Sequence, residues 1–279
     1  MTQKNAWNKY KKDEIKALES LCKDYRDFLD NGKTERECVK EIVKQAEDKG
    51  FRDIRKIIKN KEKIETGDKV YAVWMNKTVA MFTIGKKKLE KGMNILGAHI
   101  DSPRMDVKQN PLYEKGGFAY LDTHYYGGIK KYQWVTLPLA IHGVIAKTDG
   151  AVVNVNIGED KNDPVFCVTD LLIHLSQEQL KKRADSVIEG EQLDILFASR
   201  PLAGKEKEAV KEAALELLEK KYGVKEEDFI SAELEIVPAG KARNCGIDES
   251  MIMAYGQDDR VCAFTSLAAM LEVESPDRT

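Results

Sequence analysis

No run in this sequence approaches the roughly 18 apolar residues of a bilayer-spanning helix, so nothing in it reads as a membrane span. It has no excess of either charge: 45 basic residues stand against 47 acidic, for a net charge of −2. A nucleic-acid or membrane-surface protein needs a sustained basic excess, so neither partner is expected. The first residues, Met1 to Asn5, lead into a charged segment without an apolar h-region, and no signal peptide is visible. The five cysteines, at 22, 38, 167, 245 and 262, are odd in number, widely spread, and match neither a zinc-finger spacing nor a disulfide framework. A reducing cytoplasm is the simplest compartment. A Gly-x-Ser-x-Gly elbow is absent and no cysteine neighbours a convincing base, which leaves nucleophilic catalysis little support. Histidine is scarce too. His99, His124, His142 and His174 are the full set, and no two share the four-residue spacing of a helical zinc pair.

What is present is enough chain, 279 residues, for one large or two medium domains, with 42% hydrophobic and 33% charged residues indicating an ordinary core and a wet surface. Residues 8–31 read as a helix with Ile15, Leu18, Leu21, Cys22, Tyr25 and Leu29 on one face and Gly32 as its stop. Thr34 and Glu37 form a capping-box pattern that opens a second helix running to Lys49. Val70–Met75 and Thr78–Ile84 read as a hairpin. After Pro103 the texture changes to glycine, aromatic and short strand-like runs, among them Leu139–Ala146 and Val152–Ile157. This suggests a β-rich domain inserted into an α/β one. Residues 206–222 return to a helical stripe closed by Gly223, Ala232–Pro238 reads as a strand, 240–250 as a loop, and Asp258–Glu272 as a helix.

The chain is organised around Gly97-Ala98-His99-Ile100-Asp101-Ser102-Pro103. Met93–Leu96 before it reads as a buried strand, which places His99 and Asp101 on one face at its carboxyl end. Open α/β sheets put their ligands there. A histidine so placed can bind a metal through one nitrogen while the aspartate orients it through the other. The alternative is a core-edge histidine bonded to a nearby aspartate. The second point of interest is Tyr255-Gly256-Gln257-Asp258-Asp259-Arg260, two adjacent carboxylates opening a helix. These are either an N-cap and its companion acid, favoured by the helix dipole, or a carboxylate bridging two metals. His124 and His142 read as structural, and His174, inside Leu171-Leu172-Ile173-His174-Leu175, would by itself be a core histidine.

In order along the chain, Gly97-Ala98-His99-Ile100-Asp101-Ser102-Pro103 with Val107-Lys108, then Tyr126-Gly127-Gly128-Ile129 with Trp134, then Ile173-His174-Leu175, then Gln257-Asp258-Asp259, resemble the aspartyl aminopeptidase family, which includes the vacuolar aminopeptidases. Each motif is weak alone; four in order are specific, and the match extends from about residue 20 along nearly the whole chain. The resemblance implies an α/β/α zinc-aminopeptidase catalytic domain with an inserted β-rich dimerisation domain: 1–106 begins the catalytic domain, 107–248 is the insert, and 249–279 returns to the catalytic domain. It implies two divalent metal ions, zinc above all, with cobalt or manganese as alternatives. It implies His99 as a ligand of one metal, Asp101 as the group that orients it, Asp258 as the bridge, and His174 as a substrate-binding residue reaching a neighbouring subunit's site. It implies a peptide substrate, acidic or neutral at its N-terminus, and a homo-oligomer of dimers assembled to a dodecamer.

Two departures qualify the resemblance. Where the family often has Asn after the bridging Asp, this chain has Asp259. The family's Glu-Glu pair, whose first member is the general base, and its later Asp and His ligands have no counterpart here. The chain therefore reads as shorter than the family pattern, and the 279 residues alone are expected to bind the first metal weakly and hydrolyse almost nothing. Two other readings remain at this point: a two-zinc deacylase or peptidase of the same clan, against which the Tyr126-Gly127-Gly128 and Ile173-His174-Leu175 motifs stand, and a non-catalytic assembly fragment.

Overall fold

Helix α1 (Lys12–Asn31) ends at Gly32, and α2 (Glu35–Asp48) starts three residues later because Thr34 caps it. The Thr34 hydroxyl accepts from the Glu37 amide at 3.3 Å, while the Glu37 carboxylate accepts from the Thr34 amide at 3.1 Å, so two otherwise orphaned donors are satisfied. A two-residue strand β1 (Arg52–Asp53) leads into α3 (Ile54–Lys59), and β2 (Lys69–Trp74) and β3 (Thr78–Thr83) form the expected antiparallel hairpin. Its turn is made by Met75 and Asn76, both at positive φ. The computed structural model describes residues 5–279, and the chain divides into two compact units: 1–102 with 241–279, and 103–240. The second unit, 103–240, overlaps the stretch 107–248 expected from the sequence to be a β-rich insert.

The second unit is built on one antiparallel sheet of seven strands. They are β4 (Arg104–Lys115), β5 (Phe118–Tyr126), β6 (Leu139–Ala146), β7 (Val152–Ile157), β8 (Cys167–Val168), β9 (Ile195–Ala198) and β10 (Ala232–Pro238). Their order is β7-β6-β10-β4-β5-β9-β8. The turn Gly116-Gly117 joins β4 to β5 with both glycines at positive φ, the geometry a tight twisted hairpin requires. Helix α4 (Ala209–Tyr222) buries Val210 and Ala214, and Gly223 ends it in the left-handed region. The central strand β10 carries a buried charge: Glu235 lies opposite His142 of β6 and Asp106 of β4. Arg104 meets it there, with Nε 2.8 Å from Asp106 and 3.2 Å from Glu235, and its guanidinium lies over the Tyr126 ring.

The first unit is completed by the hairpin β11 (Arg243–Cys245) and β12 (Met251–Met253), in a stretch expected to be a loop, and by α5 (Gln257–Glu272). Its main core joins Tyr25, Phe28 and Leu29 of α1, Cys38 and Ile42 of α2, and Phe264 and Leu267 of α5. The Phe264 ring centroid sits 5.1 Å from Tyr25 and 5.6 Å from Phe28. Burying each such aromatic stabilises by about 1.5–3 kcal/mol, which pins α5 against the α1–α2 pair.

Two expectations are corrected. Met93–Leu96 is not a buried strand: the segment is irregular, with Ile95 79% and Leu96 64% exposed. A strand needs a paired edge, and among the described residues no strand lies alongside this one; the Asn94 amide donates to the Thr279 carbonyl at 2.9 Å. His174 is not in a core either. Leu171, Leu172, Ile173 and Leu175 around it are all exposed, because turns such as Leu175 N–H to Leu172 C=O break the run before it can form an amphipathic element.

Candidate metal centre

The first unit brings together the two stretches singled out in the sequence, though by a route the sequence did not show. His99 and Asp101 lie on irregular backbone, and Asp258 and Asp259 have non-helical backbone angles at the very start of α5. The Asp258–Asp259 peptide bond is cis. Regular helical backbone begins only after Asp259, and no side-chain cap bond is made at the Gly256 start of α5.

The His99 ring is held at both nitrogens. Nδ1 lies 3.1 Å from Asp101 Oδ1 and 3.1 Å from the Asp101 carbonyl, and Nε2 lies 3.1 Å from Asp259 Oδ2. His99, Asp258 and Asp259 each offer one ligand atom, and these atoms lie within 4.8 Å of one another. Partial burial opposes the charged imidazole, but Asp101 and, less strongly, Asp259 outweigh it and hold the His99 pKa above its usual 6.5. With Nδ1–H donating to Asp101, Nε2 keeps its lone pair for a cation, the arrangement that fixes tautomer and orientation at metal-bound histidines. Three carboxylates gathered around one imidazole carry an excess of negative charge. Oxygen and imidazole nitrogen donors together suit zinc, cobalt or manganese, so the donor set fits a divalent ion.

Two further residues tie the ligand stretches together. The Ser102 hydroxyl donates to the Asp258 carbonyl at 2.8 Å. Arg260 Nε donates to the Ile100 carbonyl at 3.0 Å. Asp259, Ser102 and Arg260 were all missed by reasoning on sequence. For Arg260 a signal existed: it stands at the head of the stripe Arg260–Phe264–Leu267, spaced as one buried helical face, where a charged residue is out of place. His174 belongs to the second unit and is exposed. His142 is buried with Nε2 3.1 Å from Glu159, and His124 stacks on Tyr125, as structural histidines do.

Against known proteins, the family model described as aminopeptidase I zinc metalloprotease (M18) matches residues 28–278. A probable M18 family aminopeptidase 1 from Clostridium acetobutylicum is 59% identical over 277 residues, covering 99% of this chain and 60% of that protein. The crystal structure of an M18 family aminopeptidase from Thermotoga maritima superposes with a TM-score of 0.92 at 44% identity, covering 100% of this chain and 59% of that one. A solved dodecamer from S. cerevisiae, 20% identical with a TM-score of 0.66 over 94% of this chain and 59% of its own, shares the fold. The chain thus spans about 60% of the length of the curated relatives it matches.

Proposed function

Because the chain belongs to the aminopeptidase I family of zinc metalloproteases, we propose that the protein is a metal-dependent aminopeptidase that removes N-terminal residues, acidic or neutral, from peptides. One observation carries this reading: His99 is clamped by Asp101 through Nδ1 and presents Nε2 to the carboxylates of Asp258 and Asp259. His99 Nε2, Asp258 and Asp259 would hold the metal, with Asp258 as the carboxylate shared between two ions. When bound there, divalent ions, zinc in this family, would supply Lewis acidity, lowering the pKa of a bound water towards neutrality. Asp101 holds the histidine in the ligating tautomer and raises its basicity. No residue of this chain is assigned as the general base.

The assembly and compartment belong to the same proposal. Leu171, Leu172, Ile173 and Leu175 form an exposed apolar patch around His174 that a second copy of the chain would cover, which supports a homo-oligomer, dimers building to a dodecamer, with His174 binding substrate in a neighbour's site. The five cysteines are unpaired, which supports the cytoplasm. No helix among the described residues is long and apolar enough to cross a membrane.

The test is hydrolysis of Asp-, Glu-, Leu- and Met-anilides by the product of the whole gene, with and without chelator. Chelator-sensitive release is the expected result and fixes the specificity class. Metal binding without release from any substrate would overturn the aminopeptidase reading and leave a metal site without this reaction.

A further inference from the structure

Among the described residues Arg260 is the largest fully buried side chain, 1% exposed, and it follows directly on Asp258 and Asp259. A lone buried guanidinium is costly unless its donors are used. Here Nε and Nη2 are used on backbone, while Nη1 is buried without a hydrogen-bond partner. Nε donates to the carbonyl of Ile100, the residue between His99 and Asp101. Nη2 donates to the carbonyl of Lys33, in the corner between α1 and α2, at 2.9 Å. The planar fork thus joins three stretches far apart in sequence: the α1–α2 corner, the His99–Asp101 segment and the start of α5.

The surroundings are shaped to admit it. Gly256 sits at φ +79° directly beside Nη1, and a Cβ there would overlap the guanidinium. The Tyr255 ring lies 5.4 Å from the guanidinium carbon. Cys38 also borders it: burial pushes the Cys38 thiol up to about 11, while Arg260 pulls the other way. Ser102, buried beside Asp101, adds a second strut to the Asp258 carbonyl.

We propose that Arg260 is a positioning residue for the metal centre. It holds the His99–Asp101 segment at a fixed distance from Asp258 and Asp259, and so keeps His99 Nε2 within reach of both carboxylates. The proposal rests on the reading of that cluster as a metal site. His99 itself lies on irregular backbone with no sheet to hold it. Its position relative to α5 is set by the two struts together with the packing of Ile100 on the helical core and the His99–Asp259 contact, and Arg260 is the strut that also reaches the α1–α2 corner. Lysine cannot replace it, because one ammonium on a flexible stem lacks the rigid fork that meets two carbonyls together.

The experiment compares Arg260→Lys, Arg260→Met and, as a matched control, Leu267→Ala, which removes buried apolar volume from the same helix. Cobalt(II) affinity is followed by titration and by the visible absorption of the bound ion. Hydrogen exchange of the metal-free proteins is read over residues 97–103. The Arg260 variants should lose cobalt affinity on the order of 10- to 100-fold, the range found when groups that orient a metal ligand are removed. Their exchange over 97–103 should rise. Leu267→Ala should melt earlier yet keep the wild-type affinity, spectrum and exchange over that segment. If Leu267→Ala loses affinity as much as Arg260→Lys at equal loss of stability, Arg260 is a structural residue only and the proposal falls. If exchange over 97–103 is unchanged in both Arg260 variants, it falls whatever the metal does. If the wild type binds no cobalt while exchange responds to Arg260, the clamp stands as a backbone device and the metal reading fails. Should Arg260→Met not fold, Arg260→Lys, which keeps the buried charge and one donor direction, carries the comparison.

Discussion

The two units handle charge in opposite ways. In the second, Arg104 is buried against Asp106 and Glu235 and stacked on Tyr126, and His142 is buried against Glu159. The guanidinium stands between two carboxylates and the imidazole faces a third, and Asp106, Glu235 and His142 pair across β4, β10 and β6 in the middle of the sheet. In the first, Asp101, Asp258 and Asp259 share one imidazole, and His99 and Asp258 are exposed. The first arrangement needs no ion; the second lacks a positive charge. A guanidinium buried among carboxylates makes a structural network, whereas exposed carboxylates around a lone imidazole make a place for a cation. That contrast separates the two clusters better than residue type does, since both set a histidine among carboxylates.

The widest gap between them should appear in stability. Arg104→Met leaves Glu235 and Asp106 without their cation inside the sheet and should cost about 3–5 kcal/mol in urea unfolding. By contrast, Asp258→Asn should leave the metal-free protein as stable as before or more so, because it relieves crowding of like charge. A loss below about 1 kcal/mol for Arg104→Met would erase the distinction, since that is the scale of an exposed pair. Next in size is metal affinity. His99→Ala should abolish measurable zinc or cobalt binding, and Asp101→Asn should lower it on the order of 10- to 100-fold by releasing the tautomer. Arg104→Met, if folded, should leave it unchanged.

A smaller effect concerns pH. The folded His99 pKa is raised above its usual 6.5, so protonated His99 stabilises the metal-free protein fully below that value, and the contribution disappears as pH rises through the raised pKa. Metal binding must displace the same proton and so runs the other way, weakening as pH falls through the raised pKa. Melting temperature in chelator and cobalt affinity should therefore move in opposite directions with pH across that window; parallel movement would show that His99 is not the titrating ligand. The smallest effect is local: Thr34→Ala removes the cap of α2 and should cost about 1 kcal/mol in thermal unfolding, without touching metal affinity.

How much of this was legible depends on how local each signal is. The helix α2 and its cap, the β2–β3 hairpin, β6, β7, β10 and the Gly223 stop follow from short-range rules and appear with nearly the same ends. The His99–Asp101 pair was readable as two ligating types two residues apart. Its backbone was not, because whether Met93–Leu96 becomes a strand depends on a neighbour that no local pattern specifies. His174 misled for a related reason: an apolar run looks the same whether its own unit covers it or leaves it in water. Asp259 was set aside as a variation next to Asp258, since adjacency alone does not reveal which carboxylate faces the imidazole. Arg260 could have been suspected from its place on the apolar stripe, but its two acceptors are carbonyls, and any residue supplies a carbonyl.

The close approach of Gly256 and Arg260 has a consequence for how this sequence can drift. Any side chain added at 256 strikes the guanidinium, and any shorter or apolar residue at 260 strands two acceptors while leaving a hole beside the glycine. Neither single step is neutral, so the pair behaves as one heritable unit, and a lineage that changes one position must carry a harmful intermediate before it can change the other.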